Sequence, residues 1–150
     1  MNTQSQEVSA NQDSKGQDSK NSEPVDSLKL AMTALDAALE KKALEPVLLK
    51  VDGICSYADY ILLLSGRSDR QVDAVAEGIK AALRDLGYMA MGVEGKARGQ
   101  WALLDYGDLI IHIFHHPVRE HYDLESMWHE AENIEIDVPD EARITTEDSY

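Results

Sequence analysis

The sequence predicts an α/β domain with a mixed five-stranded sheet flanked by helices. Short apolar runs bounded by turn residues alternate with longer segments in which apolar residues recur at helical spacing. Two of the runs, 101–104 and 109–114, are joined by the turn DYGD, which is typical of a β-hairpin. A hairpin pairs its strands antiparallel, whereas strands separated by helices commonly pair in parallel. We therefore expect both strand directions in one sheet.

Two helices are predicted before the hairpin. The first covers residues 28–42, where apolar residues recur at helical spacing and Asp26 or Ser27 can cap the start. The second begins with a capping box formed by Ser68 and Gln71 and presents one long apolar face. The other predicted elements are strands at 47–51, 60–64, 88–93, 101–104 and 109–114, and a last helix from Leu124 to about Asn133.

The chain is predicted to consist of one domain between two tails. Residues 1–24 form a polar tract with one branched aliphatic residue, which cannot bury enough apolar surface to offset the entropy of ordering. Residues 135–150 are acidic, contain a proline and lack a sustained apolar period. We expect a disordered polar tail over 1–24, a folded domain over 25–134 and a mobile acidic tail over 135–150.

Length and composition favour a globular domain of the cytoplasm. Of the 150 residues 43% are hydrophobic, which is enough for a core, and no stretch reaches the roughly 20 apolar residues of a membrane span. The N-terminus lacks the basic and apolar blocks of a signal peptide. The single cysteine, Cys55, cannot form an internal disulfide, which agrees with a reducing compartment. We predict a cytoplasmic protein without membrane contact.

The formal net charge of −14 bears on the choice of partner. Lysine and arginine contacts to phosphates supply most non-specific affinity for nucleic acids. A chain with 28 acidic residues and no basic stripe is therefore predicted not to bind nucleic acid autonomously. A basic protein surface is the better partner, and the alternative is that the charge serves solubility alone.

The hairpin carries more polar and aromatic groups than a simple connector needs. Strand alternation places Trp101, Leu103 and Asp105 on one face of the sheet. A large ring beside acids is common at the centre of interfaces, because the ring contributes contact area while the acids select a basic partner. Trp101 is therefore either an interface residue or a core tryptophan. Tyr106, at the tip of the turn, is expected to be exposed.

Two series of residues along the chain occur in a familiar order. The first series is Asp59-Tyr60, Ser65-Gly66, Ser68 and Arg70-Gln71-Val72, and the second is Glu94-Gly95, Gly99, Trp101, Asp105, Gly107-Asp108, His112, Arg119, Tyr122, Leu124-Glu125 and Trp128. In order and nearly in spacing, they resemble the pattern of the Iojap family, the bacterial ribosomal silencing factors called RsfS. The resemblance covers residues 28 to 128 approximately, and no common nucleotide or metal motif shares this series.

The resemblance implies a nucleotidyltransferase-like Iojap fold and a non-enzymatic function without a cofactor. It implies binding to the large ribosomal subunit, against its universal protein L-fourteen. A protein bound there would prevent the small subunit from joining and repress translation when nutrients are scarce, and a related role is large-subunit biogenesis. Together with the chemistry of the hairpin, it predicts these partner-binding residues: Glu94, Trp101, Asp105, Tyr106, Asp108, His112, Phe114, Arg119 and Tyr122.

The residues leave alternatives open. A metal-dependent nucleotidyltransferase needs two carboxylates at alternate positions of one strand, whereas Asp105 and Asp108 lie three apart across a turn. The same hairpin face also suits a homodimerisation module. Arg119 and Tyr122 suit a second role, in which they pin the following helix to the sheet.

Four histidines fall within ten residues of each other and raise the question of a metal site. Zinc requires three or four converging ligands, and neither a cysteine nor a well-spaced carboxylate completes the set here. We therefore predict no metal site. His112 is expected to be a polar anchor or a surface contact. His115 and His116 fall where the family is variable, so the resemblance assigns them no role.

Overall fold

The computed structural model describes residues 26–96 and 100–144. Within these residues, helices and strands are interspersed along the chain and the strands form one sheet. The helices are α1 (Ser27–Glu40), α2 (Asp69–Asp85), α3 (His116–Tyr122) and α4 (Leu124–Met127), with a 3₁₀ helix at Asp140–Ala142. The strands are β1 (Leu44–Lys50), β2 (Tyr60–Gly66), β3 (Gly92–Lys96), β4 (Trp101–Asp105), β5 (Leu109–His115) and β6 (Glu132–Ile134).

The strands lie in the order β3-β4-β5-β2-β1-β6. The central pair, β2 and β5, is parallel, and every other pair in this sheet is antiparallel. The prediction of an α/β domain with a mixed sheet flanked by helices is confirmed. None of the described helices is long and apolar enough to cross a membrane.

Helices α1 and α2 cover one face of the sheet. The Asp26 side chain caps α1, and Ser68 caps α2 by accepting a hydrogen bond from the Gln71 backbone, as the capping box predicts. The apolar stripes of both helices pack on sheet residues that alternate along the strands, among them Leu62, Leu64 and Leu104. This layer is the larger part of the core.

The opposite face of the sheet is covered only in part. A second apolar cluster forms there around Ile61, Leu63 and Ile110, against which Leu124 and Trp128 of the α4 region pack. This cover lies over the part of the sheet around β1 and β2. At the β4 end of the same face, Trp101 stays partly exposed. The open end of this face is where the candidate site lies.

The predicted last helix is shorter than expected. It ends at Met127, and Glu132 and Asn133 at its predicted end instead belong to β6, which pairs with Leu48–Lys50 at the edge of β1. The edge of β1 offers unpaired backbone groups to a nearby segment, and a helix of about ten residues is marginal without packing. The sheet consequently has a sixth, three-residue strand.

The predicted start of the acidic tail, at residue 135, lies too early in the chain. Ile136 packs against the core, Ala142 is buried, and the Ile144 backbone N–H donates a 2.7 Å hydrogen bond to the Glu45 carboxylate. Isolated apolar residues without a period were enough to dock this segment, because β6 already holds its start against the sheet. Residues 135–144 therefore belong to the fold. The predicted polar tail over 1–24 and residues 145–150 lie outside the described residues.

Candidate protein-binding site

Four rings gather at the open end of the sheet face, and we call them the aromatic patch: Trp101, His112, Phe114 and Tyr122. Trp101 on β4 lies directly opposite Phe114 on β5, with ring centroids 5.2 Å apart and planes inclined by 22°. Tyr122, at the end of α3, brings its ring centroid to 5.2 Å from that of Trp101. Offset contacts of this kind stabilise aromatic pairs beyond the area they bury.

The four rings differ in depth. Phe114 is fully buried, Trp101 and His112 are partly exposed, and Tyr122 is 45% exposed. Phe114 was predicted to contact a partner, but in this structure it has no accessible surface, because Trp101 and Tyr122 pack over it. Phe114 is the floor of the patch, and Trp101 and Tyr122 form its accessible surface. Trp101 is thus neither a fully buried core residue nor a freely exposed one.

His112 holds the Trp101 ring by a hydrogen bond. The Trp101 Nε1–H donates to His112 Nδ1 at 3.1 Å, and the two ring planes are inclined by 27°. Burial lowers the pKa of His112 to about 4, because the charged imidazolium would lose its hydration there. The ring is therefore neutral near pH 7, and the tryptophan is fixed in one orientation.

Arg119 on α3 is buried and does not face solvent. Its Nη1 donates to the Glu45 carbonyl at 2.6 Å and to the Ser65 hydroxyl at 2.9 Å. Its Nε and Nη2 donate to the two carboxylate oxygens of Glu125, at 3.3 and 2.9 Å. Arg119 was predicted to contact a partner, but in this structure its guanidinium is bonded within the fold and is not exposed. The alternative that it pins the helix to the sheet describes what the structure shows.

The Glu45 carbonyl needs this donor because β1 is irregular at that point. The register between β1 and β2 shifts between Leu44 and Val47, and Glu45 has a positive φ of 47°. Pro46 follows, and a proline inside a strand sequence commonly marks such a bulge. That proline was the available signal for the bulge. No sequence pattern pointed to Glu45, Ser65 or Glu125 as partners of the arginine.

Tyr106 is buried, with 8% of its surface exposed, and the prediction of an exposed turn tip is wrong. Continuing the alternation of β4 past Asp105 places Tyr106 on the same side as Ala102 and Leu104, which is the side covered by α1 and α2. The periodicity of the strand thus persisted into the turn. Burial raises the pKa of the Tyr106 hydroxyl.

The Tyr106 hydroxyl is the one buried side-chain polar atom of the described residues that has no hydrogen-bond partner. An unsatisfied buried hydroxyl destabilises the folded state. We expect Tyr106→Phe to raise the free energy of unfolding by about 1 kcal/mol. Denaturant unfolding measures this change. Tyr60→Phe, at a partly exposed ring on β2, is the control and should stay within about 0.5 kcal/mol of wild type. A Tyr106→Phe variant less stable than wild type would show that the Tyr106 hydroxyl has a hydrogen-bond partner after all.

The three predicted acidic contacts differ in their surroundings. The Asp105 carboxylate accepts a 2.8 Å hydrogen bond from the Gly107 N–H and so stabilises the turn, where Gly107 has a φ of +85°. Asp108 is exposed. Glu94 lies in β3 opposite Leu103, and its side chain lies outside what the structure describes. Asp108 is therefore the described acid of this set that is open to solvent.

The clustered histidines do not converge. His115 Nε2 lies 3.1 Å from the Arg67 carbonyl, and His116 Nδ1 lies 3.2 Å from the Ser65 hydroxyl. His112 instead belongs to the aromatic patch and stacks with Trp101 and Phe114. Among the residues that the structure describes, no group of histidine, cysteine and carboxylate side chains is arranged to hold a metal ion.

These features define a small α/β protein whose partly open sheet face ends in a rigid aromatic patch. The family model described as "Ribosomal silencing factor during starvation" matches residues 24–149. The chain belongs to this family, the ribosomal silencing factors RsfS. The resemblance seen in the two residue series is thereby confirmed.

Individual relatives agree with this assignment. The chain is 36% identical over 110 residues to the ribosomal silencing factor RsfS of Halalkalibacterium halodurans, covering 73% of this chain and 92% of that protein. It is 27% identical over 92 residues to mouse mitochondrial assembly of ribosomal large subunit protein 1, covering 59% and 40% of the two chains. A crystal structure of a Chromobacterium violaceum protein superposes with a TM-score of 0.68 at 27% identity, covering 77% and 95%.

Proposed function

We propose that this protein binds the large ribosomal subunit through the aromatic patch and blocks joining of the small subunit. Its contact on the subunit would be the universal protein L-fourteen. The observation that carries the proposal is the accessible pair Trp101 and Tyr122. Trp101 stacks on the buried Phe114 and is held by His112, and the Tyr122 ring lies tilted beside Trp101. Membership in the ribosomal silencing factor family supports the choice of partner.

The patch has the properties of a protein-binding centre. Tryptophan and tyrosine are enriched among the residues that contribute most to binding, because they bury much area at low conformational cost. Here the Trp101 ring is already held by a hydrogen bond to His112 and by stacking with the rings of His112 and Phe114. Little rotamer freedom remains to be lost on association, which leaves more of the contact energy for affinity.

The charge of the chain favours a basic protein surface over RNA. A net charge of −14 repels phosphates and attracts lysine-rich and arginine-rich surfaces. The exposed Asp108 at the hairpin turn adds to this field near β4 and β5. Electrostatic steering of this kind raises the rate of association more than the final affinity.

Inhibition would follow from occupancy alone. A protein seated on the subunit face that meets the small subunit excludes the latter sterically, so the proposed mechanism is non-enzymatic and represses translation. A second contribution, to large-subunit biogenesis, is proposed because the mouse relative is named for assembly of the mitochondrial large subunit. We propose the cytoplasm as the compartment, because ribosomal subunits are the partner.

The proposal predicts selective binding to assembled subunits. In sucrose-gradient sedimentation the protein should travel with free large subunits, and its addition should reduce the yield of joined ribosomes. Binding to naked ribosomal RNA should be weak, because the chain has no basic stripe that could release counterions. Equal affinity for naked RNA and for subunits, with a steep dependence on salt, would overturn the proposed partner.

A further inference from the structure

The hydrogen bond between Trp101 and His112 fixes which histidine nitrogen carries the proton. The indole Nε1–H is a donor and never an acceptor, so His112 Nδ1 must accept with its lone pair. The ring is also neutral near pH 7, since its pKa lies at about 4. A neutral imidazole carries one N–H, and here that N–H is at Nε2.

Nε2 keeps access to solvent at the patch. Among the described residues, no hydrogen bond is formed by this atom, and the Tyr106 hydroxyl alone is both fully buried and unpartnered. The described rings that contact His112 are Trp101 and Phe114, and neither can accept the proton in a conventional hydrogen bond. In the described part of the chain, the Nε2–H is therefore a hydrogen-bond donor without a protein acceptor, and aromatic rings surround it.

We propose that the His112 Nε2–H is the hydrogen-bond donor that the aromatic patch offers to its partner, and that the bound protein supplies a carbonyl oxygen to it. This inference rests on the proposed function, because it names the chemistry of the same contact. A carbonyl fits better than a carboxylate, because a surface complementary to a chain of charge −14 is basic and poor in acids. His112 would thus select a partner by a neutral polar contact.

The tautomer is tested first, on the free protein. Nitrogen-15 NMR of the labelled full chain at pH 7 should show His112 protonated at Nε2 and unprotonated at Nδ1. Trp101→Phe removes the donor to Nδ1 and should give a mixture of both tautomers. Protonation of His112 at Nδ1 in the wild-type protein would overturn the inference without any reference to ribosomes.

The donor is tested with two amide substitutions. Glutamine places its amide near the position of Nε2, whereas asparagine places its amide near Nδ1, where it can still accept from Trp101. We expect His112→Gln to bind large subunits within about threefold of wild type and His112→Asn to lose about tenfold, the equivalent of one hydrogen bond. Thermal unfolding of both variants checks that each is folded.

Which of the two variants binds large subunits more tightly shows whether His112 donates a hydrogen bond to the partner or only orients Trp101. If His112 serves only to orient Trp101, the asparagine variant should bind better than the glutamine variant, which would overturn the donor assignment. Equal binding of both would overturn it as well. Failure of the wild-type protein to bind subunits would overturn the proposed function and the carbonyl contact with it, while the tautomer result would stand.

Discussion

Replacing Arg119 with alanine is expected to lower the free energy of unfolding by about 3 to 5 kcal/mol. The guanidinium bonds the Glu45 carbonyl, the Ser65 hydroxyl and the Glu125 carboxylate at the same time. Its removal would leave the first two groups in a buried setting with fewer donors, at about 1 to 3 kcal/mol for each unsatisfied group. Lost packing around a side chain that is 5% exposed adds to this cost.

Equilibrium unfolding in urea measures the effect. Arg143→Ala is the matched control, because the side chain of Arg143 is 60% exposed and its loss should cost less than about 0.5 kcal/mol. Glu125→Gln should lower the free energy of unfolding less than Arg119→Ala does. The Glu125 side chain is 43% exposed, so water already screens its ion pair with Arg119. A loss below about 1 kcal/mol for Arg119→Ala would show that the hydrogen bonds from Arg119 on α3 to Glu45 and Ser65 do not stabilise the fold.

Replacing Trp101 with alanine is expected to weaken binding to the large subunit by roughly 30- to 1,000-fold, which corresponds to about 2 to 4 kcal/mol. The substitution removes the largest accessible ring of the patch and exposes Phe114 beneath it. The domain should remain folded, because Trp101 is partly exposed and lies at the open end of the sheet face.

The control for Trp101 is an exposed ring at a different place. Tyr57 is 62% exposed and lies in the loop before β2. The first residue of β2 pairs with Leu109 at the start of β5, whereas Trp101 pairs with Phe114 near the end of β5, so the two rings lie at different ends of this strand. Tyr57→Ala should bind subunits as wild type does. Unchanged binding by a folded Trp101→Ala variant would place the interface elsewhere, and comparable losses in both variants would indicate a non-specific effect.

The sequence alone determined the elements whose signals are local. The cap at Ser68 and the apolar stripe behind it predicted α2, and strand alternation correctly placed Trp101, Leu103 and Asp105 on one face. These patterns succeed because helix and strand periods are set by backbone geometry within a few residues. The order and spacing of the two residue series can also be read without a structure, and they were sufficient to identify the family.

The tertiary structure alone decided which of those residues are accessible. Tyr106 is buried because α1 and α2 cover its side of the sheet, and alternation cannot say which side is covered. Arg119 is buried against Glu45 of β1, to which it donates a hydrogen bond. Glu45 lies 74 positions away in the chain, so no local pattern predicts this contact. Residues 132–144 pack because the edge of β1 was free to pair with β6. Which of these positions is covered depends on contacts between distant segments, and the periodicity of a single strand or turn does not encode those contacts.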